Sequence, residues 1–198
     1  MRSAARSVHP CPRRRAATRW AGVGLAWLFG LWLVLPLALQ ARAVELRTFE
    51  VSQADDGVWL NYAVNFELSP GVDEALNKAV PLYFVAEASI FRDRWYWADR
   101  REAHALRIWR IVYQPLTTTY RVTFGGLSQN YDSRTEALAA ISRGVRWKVA
   151  EAGQLEAGSH YIEFSFRLDT SLLPRPMQIG INGQPDWTLS IEHKQAMN

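Results

Sequence analysis

Val58-Trp59-Leu60-Asn61-Tyr62-Ala63-Val64-Asn65-Phe66-Glu67-Leu68 is the stretch whose reading decides the fold. Val58, Leu60, Tyr62, Val64, Phe66 and Leu68 occupy every second position, with Trp59, Asn61, Ala63, Asn65 and Glu67 between them. A period of two sends successive side chains to opposite faces, so this is a strand with one buried face. Asp55-Asp56-Gly57 precedes it and reads as a hairpin turn, with Gly57 free to take positive φ. The strand before that turn carries Val44, Leu46, Phe49 and Val51. Its phase slips at Thr48, which predicts a bulge.

Working outward, more strands follow. Leu82, Phe84, Ala86, Ala88 and Ile90 mark one, and Leu106 to Tyr113 the next. Tyr120, Val122 and Phe124 mark another, then Val145, Trp147 and Val149. Ile162, Phe164, Phe166 and Leu168 make a further clear one, and Trp187, Leu189 and Ile191 the last. Two helices interrupt them. Ser69 caps the first, with Pro70 at its opening position. Val72, Ala75, Leu76, Ala79 and Val80 give its apolar stripe, and Pro81 ends it. The second opens on Ser133-Arg134-Thr135-Glu136, a capping box, and Gly144 is its expected C-cap. The expected fold is mainly β with two short helices: an antiparallel β-sandwich or partly open barrel, the helices covering an end or edge.

The first 43 residues read differently. Six arginines between Arg2 and Arg19 precede an apolar run from Trp20 to Leu39, and Ala41-Arg42-Ala43 follows. Basic, apolar and A-x-A in that order are the build of a secretory signal peptide. Residues 1–43 are therefore expected to be a leader, and 44–198 a single β-rich domain. The alternative is an uncleaved N-terminal inner-membrane anchor, because the 20-residue run is near the length that spans a bilayer. Seven of the 23 basic residues and none of the 19 acidic ones lie before Val44, so the remainder holds 16 against 19 and is net −3. Nucleic-acid binding is excluded on that balance. The lone cysteine, Cys11, lies in the leader, which excludes disulfides and thiol chemistry from the domain. The expected location is the periplasm or cell envelope.

No nucleophile elbow, phosphate-binding loop or dinucleotide fingerprint is present. His104, His160 and His193 are scattered. His160 is in phase with Ile162 and Phe164 and reads as a structural residue at the rim of the core. Asp55-Asp56 and Asp73-Glu74 are explained by a turn and a helix start. No catalytic residue, metal ligand or cofactor is assigned.

The most unusual stretch is Arg92-Asp93-Arg94-Trp95-Tyr96-Trp97-Ala98-Asp99-Arg100-Arg101, at the end of a strand. If alternation continues from Val85 through Phe91, Trp95 and Trp97 project together, away from the core. Arg94, Trp95, Trp97, Arg100 and Arg101 are the candidate ligand- or partner-binding residues, since aromatic planes beside guanidiniums suit sugar, peptide or headgroup contacts. The competing reading is ordinary packing: tryptophans against a covering helix, and arginines paired to Asp93 and Asp99.

Leu168-Asp169-Thr170-Ser171-Leu172-Leu173-Pro174-Arg175-Pro176-Met177-Gln178-Ile179, followed by Asp186-Trp187, carries a resemblance. With His160 to Phe164 and Arg107 to Tyr113, it resembles a bacterial exported family, domain of unknown function 4390. The resemblance implies an envelope protein and brings no activity with it. Physically, Pro174 and Pro176 predict an extended connection, with Trp187 packing across the sheet where it lands. The functional expectation is a non-catalytic envelope module binding a protein or peptide partner. The alternatives are a carrier or sensor of an apolar or sugar-like ligand, and an envelope enzyme.

Overall fold

The computed structural model describes residues 44–197 except position 182; the leader and anchor readings fall on residues outside the described ones. Among the described residues, nine strands form two antiparallel sheets that share one core, in a β-sandwich-like arrangement with no closed barrel. One sheet holds β1 (Glu45–Ala54), β2 (Gly57–Asn65) and β7 (Arg143–Glu151), in the order β1-β2-β7. The other runs β6-β5-β4-β3-β8-β9. Its strands are β3 (Leu82–Arg92), β4 (Arg100–Gln114), β5 (Thr119–Phe124), β6 (Leu127–Tyr131), β8 (His160–Leu168) and β9 (Ser190–Met197).

The alternation of β2 is realised: Val58, Leu60, Tyr62 and Val64 are buried, and Trp59, Asn61 and Ala63 less so. Across the core, Phe84, Ala86, Ala88 and Ile90 of β3 and Ile162, Phe164 and Phe166 of β8 are closed off from water. Rings join the two sheets. Tyr62 lies 4.7 Å from Phe164, Phe49 5.5 Å from Phe164, and Phe66 5.2 Å from Phe84, centre to centre. The expected bulge is present, as the β1–β2 register shifts between Leu46 and Thr48.

Both expected helix starts hold. Ser69 Oγ accepts from the Val72 N–H at 3.2 Å at the head of α1 (Pro70–Asn77) and donates to the Asp186 carbonyl at 2.6 Å. Ser133 Oγ accepts from the Glu136 N–H at 3.2 Å at the head of α2 (Arg134–Ile141). Helix α1 stops earlier than Pro81 implied, because Ala79 turns to a φ of 63°.

The structure corrects several readings. Residues 174–181 are not extended: α3 (Arg175–Ile181) makes a third short helix, since a proline in a first turn forfeits no helical hydrogen bond. Trp187 belongs to a 3-10 turn (Pro185–Trp187), and the last strand starts at Ser190. Strand β6 follows the Gly125-Gly126 turn and escaped notice because Leu-Ser-Gln-Asn-Tyr is polar and mostly exposed. Gly144 caps no helix. It sits inside β7, where a Cβ would fall 2.1 Å from a Tyr62 ring carbon. Arg146, at φ 46°, breaks the phase beyond it, so Val145 turns outward while Trp147 turns in. Alternation on β3 ends at Arg92, and Trp95 and Trp97 occupy the turn between β3 and β4 instead of a strand face.

Phe164→Ala should cost about 3–5 kcal/mol, as a buried ring is replaced by a cavity. Gly144→Ala should cost about 1–3 kcal/mol by overpacking against Tyr62. Urea unfolding of both variants checks the two values; a cost below about 1 kcal/mol for Phe164→Ala would mean the faces of β8 are wrongly assigned.

Candidate functional site

The β3–β4 hairpin ends in a turn of exposed rings. Trp95 is 93% exposed, Tyr96 68% and Trp97 73%. Trp95 and Tyr96 meet edge to face at 4.9 Å. Packing of these tryptophans on a covering helix does not occur. Arg94 precedes the rings, and Arg100 and Arg101 open β4. Arg94 and Arg101 have no ion pair among the described residues, whereas Arg100 Nη1 donates to Glu156 Oε1 at 2.9 Å. The structure thus brings the five candidate residues to one tip, with Arg100 tied down at its base.

The tip stands on a charged clamp that sequence reading missed. Arg92 Nε lies 3.0 Å from Glu102 Oε1, and Arg92 Nη1 lies 2.8 Å from Glu156 Oε2. His160 Nε2 is 2.9 Å from Glu102 Oε2, which also accepts the Glu156 backbone N–H at 3.0 Å. The Glu102 side chain is only 3% exposed. A register shift between Ile90 and Phe91 turns it inward. The visible signal was His160, whose inward phase placed it at the core rim; the bulge that brings Glu102 to it leaves no mark in the sequence. Burial pushes the Glu102 carboxyl up. The His160 contact, the Glu156 N–H and the Arg92 charge together outweigh it and hold the group below its ordinary value.

More contacts fix the tip's outer edge. The Asp93 N–H donates to the Ser159 carbonyl at 3.0 Å, and the Tyr161 hydroxyl donates to Asp99 Oδ2 at 2.7 Å. That hydrogen bond leads the influences holding Asp99 below its usual range. Tyr161 stacks on Phe91 at 5.4 Å, and Lys194 Nζ lies 3.5 Å above its ring. The rings are exposed, but the backbone carrying them is bonded at both ends.

An open cleft of about 950 Å³ lies at the other end of β3, where α1 meets α2. The Arg134–Asp73 ion pair crosses it, and Arg47, Arg143 and Phe66 also line it. Eleven residues of β3 separate the two ends, roughly 33 Å of strand, so the cleft does not use the tryptophans. Among the described residues, no group of three or more His, Cys, Asp or Glu side chains is arranged to hold a metal ion. No described helix is long and apolar enough to cross a membrane.

Glu102→Gln should cost about 3 kcal/mol at neutral pH, because Arg92 is left without its buried partner. Glu102's folded value lies below the unfolded one, near ~4.3. Its contribution is therefore complete above that pH and drains away as pH falls through the folded value. The gap between wild type and variant should narrow in acid. Denaturant unfolding from pH 7 to 3 checks both parts, and a gap that widens in acid contradicts the assignment.

Neither curated proteins nor solved structures gave a match to the chain. A family model, described as a domain of unknown function (DUF4390), matches residues 41–196. That span contains both sheets, the clamp and the aromatic tip, so the chain belongs to the family of domain of unknown function 4390.

Proposed function

We propose that this protein is a non-catalytic module of the bacterial cell envelope that binds a protein or peptide partner through the tip formed by Arg94, Trp95, Trp97, Arg100 and Arg101. One observation carries the reading. Three consecutive rings stand in solvent on a hairpin whose base is clamped by buried charge. Exposing so much aromatic surface gains the fold nothing, since burial is what makes rings stabilising. A fixed tip also loses little freedom on docking. Trp and Arg are the residues in which interface energy concentrates. Envelope location rests on the leader's order of basic, apolar and A-x-A residues.

A small-ligand role has the cleft between α1 and α2 in its favour. That cleft is open and crossed by charge, and the tryptophans are far from it. Glu102 and His160 are engaged with each other and with Arg92, not turned toward a substrate space, which supports binding over catalysis.

Trp95→Ala with Trp97→Ala should shift stability by no more than about 0.5 kcal/mol, as expected of exposed side chains. A photo-crosslinking residue placed at Trp97 in the producing cell should give a discrete protein adduct, and Trp95→Ala should abolish it. The same probe at Leu116, fully exposed on the β4–β5 turn, should give none. Adducts with lipid only, equal adducts at both positions, or a large loss of stability in the double variant retire this reading.

A further inference from the structure

Arg107 lies on the inward side of β4. It pairs in register with buried Ala86 and shares a face with Trp109 and Ile111. It is half-buried, yet no hydrogen bond or ion pair joins it to any described residue. Two rings hold it instead: its guanidinium carbon is 5.0 Å from the Trp147 ring centre on β7 and 5.6 Å from that of Phe124 on β5. Contacts of this kind pair no N–H with an oxygen acceptor, so the five donors of this guanidinium have none among the described residues. Burial pulls the Arg107 pKa down, the direction expected of a cation lacking an anion.

A second observation points the same way. The Tyr62 hydroxyl is buried without a hydrogen-bond partner among the described residues, and Tyr62 meets Trp147 edge-on at 5.9 Å. Burial raises its pKa, so it stays a neutral donor; Trp147 lies beside both groups, 5.9 Å from the Tyr62 ring and 5.0 Å from the Arg107 guanidinium carbon. Apolar surface borders the cation. Phe124 is 39% exposed, and its register partner Leu127 is 80% exposed. The seam between β4, β5 and β7 therefore offers one cation beside an apolar shelf, with the buried Tyr62 of β2 on the neighbouring Trp147 ring.

We propose that Arg107, held against Trp147 and Phe124, is a binding site for a carboxylate carried on an apolar body, which rests on Phe124 and Leu127. One cation fits one unit of negative charge, and the planar fork of arginine matches a carboxylate's two oxygens. A phosphate dianion calls for further positive charge that these contacts do not supply. The carboxylate has two sources, a free small acid or the end of a peptide chain. The site is separate from the aromatic tip and does not depend on its role.

The test uses protein purified from its producing cell, titrated with N-acetyl-phenylalanine, its amide, and a hexapeptide ending in phenylalanine with a free carboxylate. Binding is followed by calorimetry and by amide shifts of Phe124 and Leu127. The free acid should bind at least about tenfold more tightly than the amide, since charge-assisted pairs are the strong ones. Arg107→Gln should erase that preference, and Arg107→Lys should keep only part of it. Leu127→Asp, at an exposed position that leaves the fold intact, should weaken both ligands, the acid more than the amide, because it removes the apolar shelf for both and adds a charge that repels the acid alone. Trp95→Ala with Trp97→Ala should change nothing, so this site and the tip stand or fall apart. A hexapeptide tighter than the small acid assigns the site to chain ends; equal affinities assign it to small carboxylates. Equal binding of acid and amide, or no binding of either, overturns the proposal, as does indifference to Leu127→Asp.

Discussion

The Tyr62 ring is the contact on which the two sheets depend. It touches Phe164 across the core and Trp147 along its own sheet, and it occupies the space that a side chain at position 144 would need. A tyrosine fits there only because residue 144 has no Cβ. The bulge at Val145 and Arg146 follows from the same crowding. Strand β7 must step aside after Gly144, and the step returns Trp147 to the core opposite Leu60. One close approach thus sets the register of β7, buries Trp147 and brings that indole over Arg107.

The strands whose inward faces are regular were legible in the sequence. Val58 to Val64, Leu82 to Ile90 and Ile162 to Leu168 alternate without interruption, and each lies where its period places it. Caps were legible too, because Ser69 and Ser133 act within three residues. Failures fell where a long-range contact overrides a local rule. Gly144 looks like a helix stop until Tyr62 is placed against it. Pro174 and Pro176 look like an extended segment, yet Gln178 folds back to donate to the Ser171 and Leu173 carbonyls and secures a helical turn. Trp95 and Trp97 stand out in the sequence, but their place on a turn depends on where β3 stops. That is fixed by Arg92 turning into the clamp.

The clamp is a second kind of order. Burying Glu102 is costly unless its charge is matched, and here His160 and the Glu156 N–H bond Oε2 while the Arg92 charge lies 3.0 Å from Oε1. Such a network adds little net stability compared with apolar packing. It does hold three segments in one relation: the β3 end, the β4 start and the loop before β8. Loosening it would leave the sheets standing and free the tip to move.

Arg92 and Arg107 show how one residue type is used in two opposite ways. Both sit in the inward phase of neighbouring strands, and both are partly withdrawn from water. Arg92 lies between the carboxylates of Glu102 and Glu156, so its charge is answered inside the molecule and its work is structural. Arg107 lies against two rings and, among the described residues, has no acceptor, so its donors remain available. The fold could have answered both with the same means, since Glu102 shows that it can bury an acid. Leaving Arg107 without one keeps a desolvated cation at the edge of the core, at a standing cost in free energy. An arriving carboxylate would remove that cost and gain a partner already in place. This difference in how the two charges are satisfied separates a strut from a site, although periodicity gives both arginines the same inward face.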